Sequence, residues 1–395
     1  MSDAFDICIV GGGIQGCGLA QAAAAAGYRV ALLEKDALAS ATSSRSSKLI
    51  HGGLRYLESA QFGLVAKSLR ERDLLLSLAP ELVRRIPFYI PVYKQSSRRP
   101  WQVRTGLSLY ALLGRLKATA CFHHIPQGRW DHLYGLKQND LQAVYQYWDA
   151  QTDDVKLTRA VMHSACELGA QLIVPGTFQQ ARRSEHGFEI IYRQNGSEET
   201  LLSKTLVNAA GPWVNEVQAS VAPGVPAPAI ELVAGTHIIL KQAAPGGVFY
   251  VESPSDRRAV FIMPWYGQTL VGTTERAYQG DPAQLEASEH EIEYLLAIVR
   301  YYFPRYSQEV ERAFAGARVL PYSAQSLFDR SRETLFFTHP QLPGYLSLMG
   351  GKLTGYRVAA LQALDYLRGT LPSRAPRADT ATIKLYPVEH WDVGC

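Results

Sequence analysis

The chain has 395 residues, of which 47% are apolar and 19% charged, with a formal charge of +4. That length exceeds one compact core and suits two domains, large enough to enclose a cofactor, and the composition is ordinary for a globular protein. No apolar run reaches the roughly 18 residues needed to span a bilayer, and the acidic start MSDAFD lacks a basic leader region, so residence in the cytoplasm is expected.

Cys8, Cys17, Cys121, Cys166 and Cys395 are odd in number, widely spaced and without a CxxC pair. Neither a disulfide framework nor a metal site is expected, and they read as buried or idle thiols. Phe5 to Val10 is a short apolar run ending in glycines, which predicts a buried parallel strand. Gly11, Gly13 and Gly16 follow as GxGxxG; Ile14 to Ala26 is Ala-rich with Gly27 beyond it, and Arg29 to Glu34 predicts the next strand. Strand, glycine turn, helix, second strand and a terminal acid together mark a dinucleotide-binding opening. The glycines admit a pyrophosphate to the helix N-terminus, and Glu34 would accept from an adenosine ribose.

Ser40 to Glu58 reads SATSSRSSKLIHGGLRYLE. Its hydroxyls can donate to phosphate or ring oxygens, the Gly52-Gly53 pair lets backbone approach something flat, and Arg55 offers a fork suited to an anion. Leu54 to Ala79 predicts one helix around an apolar stripe. Arg85 to Tyr93, with two prolines, suits edge strands of a second domain. Between Glu81 and Asp131 no acidic residue occurs and nine basic ones do, and Trp101 to Lys117 mixes Trp, Leu and Tyr with Arg and Lys. A helix on an anionic membrane surface has that composition, as does a solvated basic face over a core helix; no recognition motif for nucleic acid accompanies the charge.

Further on, Leu157 to Leu168 predicts a helix, followed by a hairpin whose second strand runs into Asn208-Ala209-Ala210-Gly211-Pro212, a turn that brings backbone close to a ligand. The stretch APGVPAPA after Val221 predicts a domain crossing, Glu231 to Thr274 a largely antiparallel sheet, and Glu289 to Phe303 a helix. A strand YLSLMGG then precedes Lys352-Leu353-Thr354, which opens a helix to about Thr370.

The motifs GGGIQGCGLA, ATSSRSSKLIHGGLRYLE, VNAAGPWV, GTHIIL, FIMPW with GTTERAYQGDP, GARVLP and GGKLTGYR resemble, in order and spacing, the FAD-dependent glycerol-3-phosphate dehydrogenase family, from about Phe5 to Leu371. This family lies within the D-amino-acid-oxidase-like flavoprotein superfamily. The resemblance implies an α/β fold: a discontinuous Rossmann-like FAD-binding domain (1–80, 150–222 and 326–371), an inserted α+β substrate domain on a largely antiparallel sheet (81–149 and 223–325) and a tail (372–395). It implies hydride transfer from sn-glycerol 3-phosphate to FAD, giving dihydroxyacetone phosphate, with a quinone as acceptor and peripheral contact with the inner face of the cytoplasmic membrane through the basic region 84–129.

Carried over by position, Gly11, Gly13, Ile14, Gly16, Glu34 and Lys35 would serve the ADP half of FAD. Thr42, Ser43, Ser47, Lys48 and Leu49 would line the cofactor, as would Phe178, Ala210, Gly211, Gly351, Lys352, Leu353 and Thr354, with His51, Gly52 and Gly53 beside the isoalloxazine. Arg55, Tyr56, His237, Arg318, Lys352 and Thr354 match substrate-side positions. Removing the proton of a secondary alcohol needs a base near neutral pH, for which His51 and His237 are candidates, with His237 slightly preferred. Arg55, Arg318 and Lys352 supply cations for a phosphate. Four departures stand out: Ala234 where the family pattern has Lys or Arg, removing one cation near the substrate side; Glu275 for Asp; Gly355 for Thr; and an end 43 residues after Lys352, implying a short form without the family's helical C-terminal domain. An oxidase or dehydrogenase of a 2-hydroxy or amino acid is the alternative enzyme, and a membrane-surface flavoprotein without small-substrate turnover the alternative class.

Overall fold

The computed structural model describes residues 4–117, 119–243, 245–322 and 333–388. The expected boundary at 325/326, the end of the 372–395 tail and Cys395 lie outside them. Two sheets dominate the described residues, one of nine strands and one of ten.

The first sheet is built outward from Phe5–Val10, whose apolar run is buried on both faces, as a central parallel strand requires. It pairs in parallel with Val30–Leu33 on one side and with Ser197–Asn208 on the other. Ser197–Asn208 has two roles along its length. Its first half forms the expected antiparallel hairpin with Gly187–Gln194, and its second half lies parallel between Phe5–Val10 and Tyr345–Gly350. Helix α1 (Ile14–Ala25) is Ala-rich and almost wholly buried. Small side chains let neighbours come close: a Cβ at Gly18 would stand 2.6 Å from the ring of Tyr356.

Residues 54–79 do not form one helix. A short 3-10 turn at Leu54–Leu57 is separated from α2 (Phe62–Leu78), because Ala60 adopts φ 54° and the chain redirects there. Val83–Tyr93 follows, then α3 (Pro100–Leu113), Leu141–Thr152, and α4 (Asp154–Glu167), whose N-cap Asp153 accepts from the Lys156 N–H. Val83–Tyr93 belongs to the second sheet but is not an edge. It pairs antiparallel with Leu141–Thr152 along its length and parallel with Val248–Glu252 through Phe88 and Tyr89 alone. Pro87 and Pro91 flank that two-residue window, so neither interrupts the second ladder.

A short α5 (Val214–Ala219) precedes the crossing to the second sheet, where Ile230–Leu240 pairs with Gln268–Gly272 and, on its other side, with Val310–Pro321. Helix α6 (Glu289–Tyr302) opens with a Ser288/Glu291 capping box, and α7 (Tyr356–Leu367) follows the Gly350–Thr354 loop. Among the described residues no helix is long and apolar enough to cross a membrane. Cys8, Cys17 and Cys121 are free thiols, whereas Cys166 is disulfide-bonded, against the expectation of idle thiols throughout.

Candidate active site

Every parallel strand of the first sheet that matters for the site ends at one place. Val10 leads to Gly11, Leu33 to Glu34, Asn208 to Gly211, and Gly350 to Thr354, and all four ends open on a cavity of about 640 Å³. A crevice at the carboxyl ends of parallel strands is where doubly wound folds bind ligands.

The cofactor side is made of backbone. Gly11 adopts φ +112°, and a Cβ at Gly16 would stand 1.9 Å from the Gly11 carbonyl oxygen. The turn into α1 therefore closes only with glycine at both positions. The Glu34 carboxylate accepts from the Gly12 N–H at 2.7 Å and from the Asp36 N–H at 2.9 Å, fixing the acid at the rim. Ser43 accepts from the Ile14 N–H at 2.9 Å, and Thr42 donates to the Ala317 carbonyl at 2.6 Å, so the hydroxyl-rich loop bridges the two sheets. Lys35 sits over the Trp213 ring at 4.2 Å.

Three basic side chains converge across the cavity. The Lys352 ammonium stands 3.7 Å above the Tyr56 ring, and the Arg55 guanidinium 5.1 Å from the same ring. Arg318 forms an ion pair with Glu275 at 3.0 Å. Burial pushes the Arg318 guanidinium down from its usual range; Glu275 opposes that shift and nearby Arg55 reinforces it. Glycine recurs where these side chains need room: a Cβ at Gly235 would lie 3.0 Å from Arg318, and one at Gly53 2.5 Å from the Tyr56 ring.

His237 is almost fully buried and stacks on Phe314 at 5.2 Å. Its Nε2 lies 3.0 Å from the Ser47 hydroxyl, while Nδ1 is buried with no hydrogen-bond partner among the described residues. Burial, then Lys48, then Arg318 push its pKa down to about 3, so the ring is neutral at neutral pH. His51 is half-buried on the cavity wall, its N–H donating to the Thr354 hydroxyl at 3.2 Å.

Of the residues expected from sequence, Gly11, Gly13, Ile14, Glu34, Lys35, Thr42, Ser43, Ser47, Leu49, His51, Gly53, Arg55, Tyr56, Phe178, Ala210, Gly211, His237, Arg318, Gly351, Lys352, Leu353 and Thr354 line this cavity. Three do not. Gly16 closes the turn from behind, and Gly52 faces Tyr110 instead. Lys48 turns inward to a buried ion pair with Asp154 at 2.7 Å. Burial raises the Asp154 carboxyl pKa against the pull of Lys48.

Ala234 also needs correction. It lies on Ile230–Leu240 at odd spacing from Gly235 and His237, so its side chain points to the opposite face, into an apolar cluster with Leu285, Ala315 and Ala317. Its identity therefore removes no cation from this cavity. Sequence reasoning missed Arg258, Tyr147, Tyr250 and Phe261, all on the cavity wall. Arg258 donates to the Glu275 backbone carbonyl at 2.7 Å, but nothing in its DRR run distinguishes it from a surface arginine.

The cavity fits FAD in size, in the glycine cradle that any Cβ would fill, and in its ribose-side acid. Comparison with known proteins agrees. Residues 6–357 match the family described as FAD dependent oxidoreductase. The glycerol-3-phosphate dehydrogenase of Synechocystis sp. is 35% identical over 97% of this chain and 73% of its own. The D-erythritol 1-phosphate dehydrogenase of Brucella abortus is 35% identical over 93% of this chain and 74% of its own. Among solved structures, the glycerol-3-phosphate dehydrogenase from Bacillus halodurans complexed with FAD is similar with a TM-score of 0.75 and 25% identity, covering 97% of this chain and 68% of that one. The chain belongs to the FAD dependent oxidoreductase family, and its cofactor is FAD.

Proposed function

We propose that this protein oxidises sn-glycerol 3-phosphate to dihydroxyacetone phosphate and passes the electrons on to a quinone. The observation that carries the reading is the convergence of Arg55, Arg318 and Lys352 on one wall of the cofactor cavity. A phosphate dianion needs several donors of positive charge, and guanidinium forks match its oxygens in pairs. Bound FAD supplies the hydride acceptor. Arg55, Lys352 and Arg318 anchor the phosphate, and Tyr56 fixes the spacing of the first two through its ring. With the anchor fixed, the carbinol carbon is held at one depth in the cavity, which is most of what orientation contributes.

The hydroxyl proton needs an acceptor. Burial, Lys48 and Arg318 all oppose a charge on His237, which leaves it a neutral partner of Ser47, and His51 on the cavity wall takes the role of base. This reverses the slight preference drawn from sequence.

The acceptor and the location belong to the same proposal. Trp101, Leu112 and Leu116 are 67%, 61% and 65% exposed on and just after α3, among exposed Arg104, Arg115 and Lys117. Apolar tips in a basic surround suit the anionic inner face of a membrane, where quinone resides. Turnover with quinone carried in anionic vesicles tests both parts: the rate should depend on quinone and fall as salt screens the surface. Oxygen uptake at the same rate without quinone would contradict the acceptor, and a salt-independent rate would contradict the surface.

A further inference from the structure

The segment from His51 to Tyr56 forms part of the cavity wall, yet Gly52 faces away from it into a buried polar chain. Its N–H donates to the Tyr110 hydroxyl at 2.9 Å, and that hydroxyl donates to Asp149 Oδ2 at 2.7 Å. Asp149 Oδ1 accepts from Arg72 Nη1 at 2.7 Å, and Arg72 also donates to the Trp148 carbonyl at 3.1 Å. Arg72 and Tyr110 are 0% exposed and Asp149 is 1%. The three come from α2, α3 and Leu141–Thr152, so three elements meet behind one peptide of the wall.

A fully buried ion pair adds little net stability compared with apolar packing of the same volume. Here its placement has a geometric result. Arg72 orients Asp149, Asp149 orients the Tyr110 hydroxyl, and the hydroxyl is left with its acceptor lone pair toward Gly52. Gly52 has no room for a side chain, since a Cβ would stand 2.4 Å from the Tyr110 oxygen and 2.6 Å from Leu69. The preceding peptide is held from the cofactor side, where the His51 N–H donates to Thr354 at 3.2 Å. Two successive N–H groups are thus tied to different elements, one to the loop before α7 and one to α3. The chain then turns at Gly53, φ +80°, and delivers Arg55 and Tyr56 to the cavity.

We propose that Tyr110, oriented by Asp149 and Arg72, is a positioning residue whose hydroxyl fixes the Gly52 peptide and so sets where His51, Arg55 and Tyr56 stand relative to Lys352 and Thr354. Only its kinetic arm rests on the proposed substrate. Tyr110→Phe removes the hydroxyl and leaves the Gly52 N–H with a 3.4 Å approach to Asp149. The holoenzyme variant should keep its FAD content and its Tm within a few degrees. It should lose about tenfold in kcat/KM for glycerol 3-phosphate. It should also shift the visible flavin band and exchange the amides of residues 49–56 faster.

Unchanged kinetics, flavin band and exchange would overturn the proposal, and so would a lowered Tm with those three unchanged. Should the variant not fold, the wild-type holoenzyme still decides: the Gly52 amide should exchange as slowly as those of Leu141–Thr152, and fast exchange contradicts the role. If glycerol 3-phosphate proves not to be a substrate, the flavin band and amide exchange still test Tyr110 independently.

Discussion

The two halves of the cavity are built by different means. The core of the cofactor half, from Gly11 to Glu34, is one continuous stretch shaped by backbone, with glycine at the points where a Cβ cannot fit. The substrate half takes Arg55 and Tyr56 from one loop, His237 and Arg318 from two strands of the second sheet, and Lys352 from the loop before α7. Its work is done by side chains carried on separate elements. A backbone cradle tolerates almost no substitution, whereas a convergent set of side chains can be weakened one member at a time.

Gly16→Ala is the harshest way to break that contrast. The new methyl would meet the Gly11 carbonyl at 1.9 Å, a backbone atom that cannot step aside. The cost should equal or exceed the ~1–3 kcal/mol typical of overpacking. The variant is expected to lose FAD, read as the flavin-to-protein ratio after purification; retention of a full complement would show that the turn is looser than its geometry. Arg318→Ala should do the opposite, keeping FAD while weakening apparent affinity for the phosphate substrate by about 2 to 5 kcal/mol, because the anchor loses a fork and a buried charge. An unchanged KM would remove Arg318 from the substrate half.

The third effect concerns His237 and appears only in acid. Its folded pKa is pushed down to about 3, well under the ordinary 6.5. Between those two values the unfolded chain binds a proton that the folded chain does not, so stability falls as pH drops from 6.5 toward 3, by at most about 1.4 kcal/mol per pH unit from this group. Above 6.5 the contribution is flat. Replacing His237 by Asn should flatten the dependence of Tm on pH in that window, and an unaltered slope would show that the ring is hydrated and charges normally.

The same contrast governs what could be read before the structure was known. The Rossmann opening was legible because its signal is local: glycine spacing, helix and acid fall within thirty residues. Arg258 and Tyr147 left no such trace, because their place on the wall depends on how the second sheet meets the first. Parity along a strand decided one other case. Ala234 points into an apolar cluster while Gly235 and His237 face the cavity, and a departure that looked functional proves to be packing. Lys48 sits in the middle of the hydroxyl-rich loop, yet its positive φ of 59° and the buried Asp154 turn it inward. Two prolines in Val83–Tyr93 suggested an edge, and the short pairing with Val248–Glu252 let them lie inside the sheet.

The central claim is that an anion anchor and a flavin cradle share one cavity so that a phosphorylated secondary alcohol can reduce the cofactor. Anaerobic titration of the holoenzyme tests it directly, with glycerol 3-phosphate, erythritol 1-phosphate, a 2-hydroxy acid and an amino acid compared side by side. Glycerol 3-phosphate should bleach the flavin absorbance at the lowest concentration. Bleaching by the 2-hydroxy acid or the amino acid alone would move the anchor's role from phosphate to carboxylate, and a flavin that none of the four reduces would contradict the enzyme assignment itself.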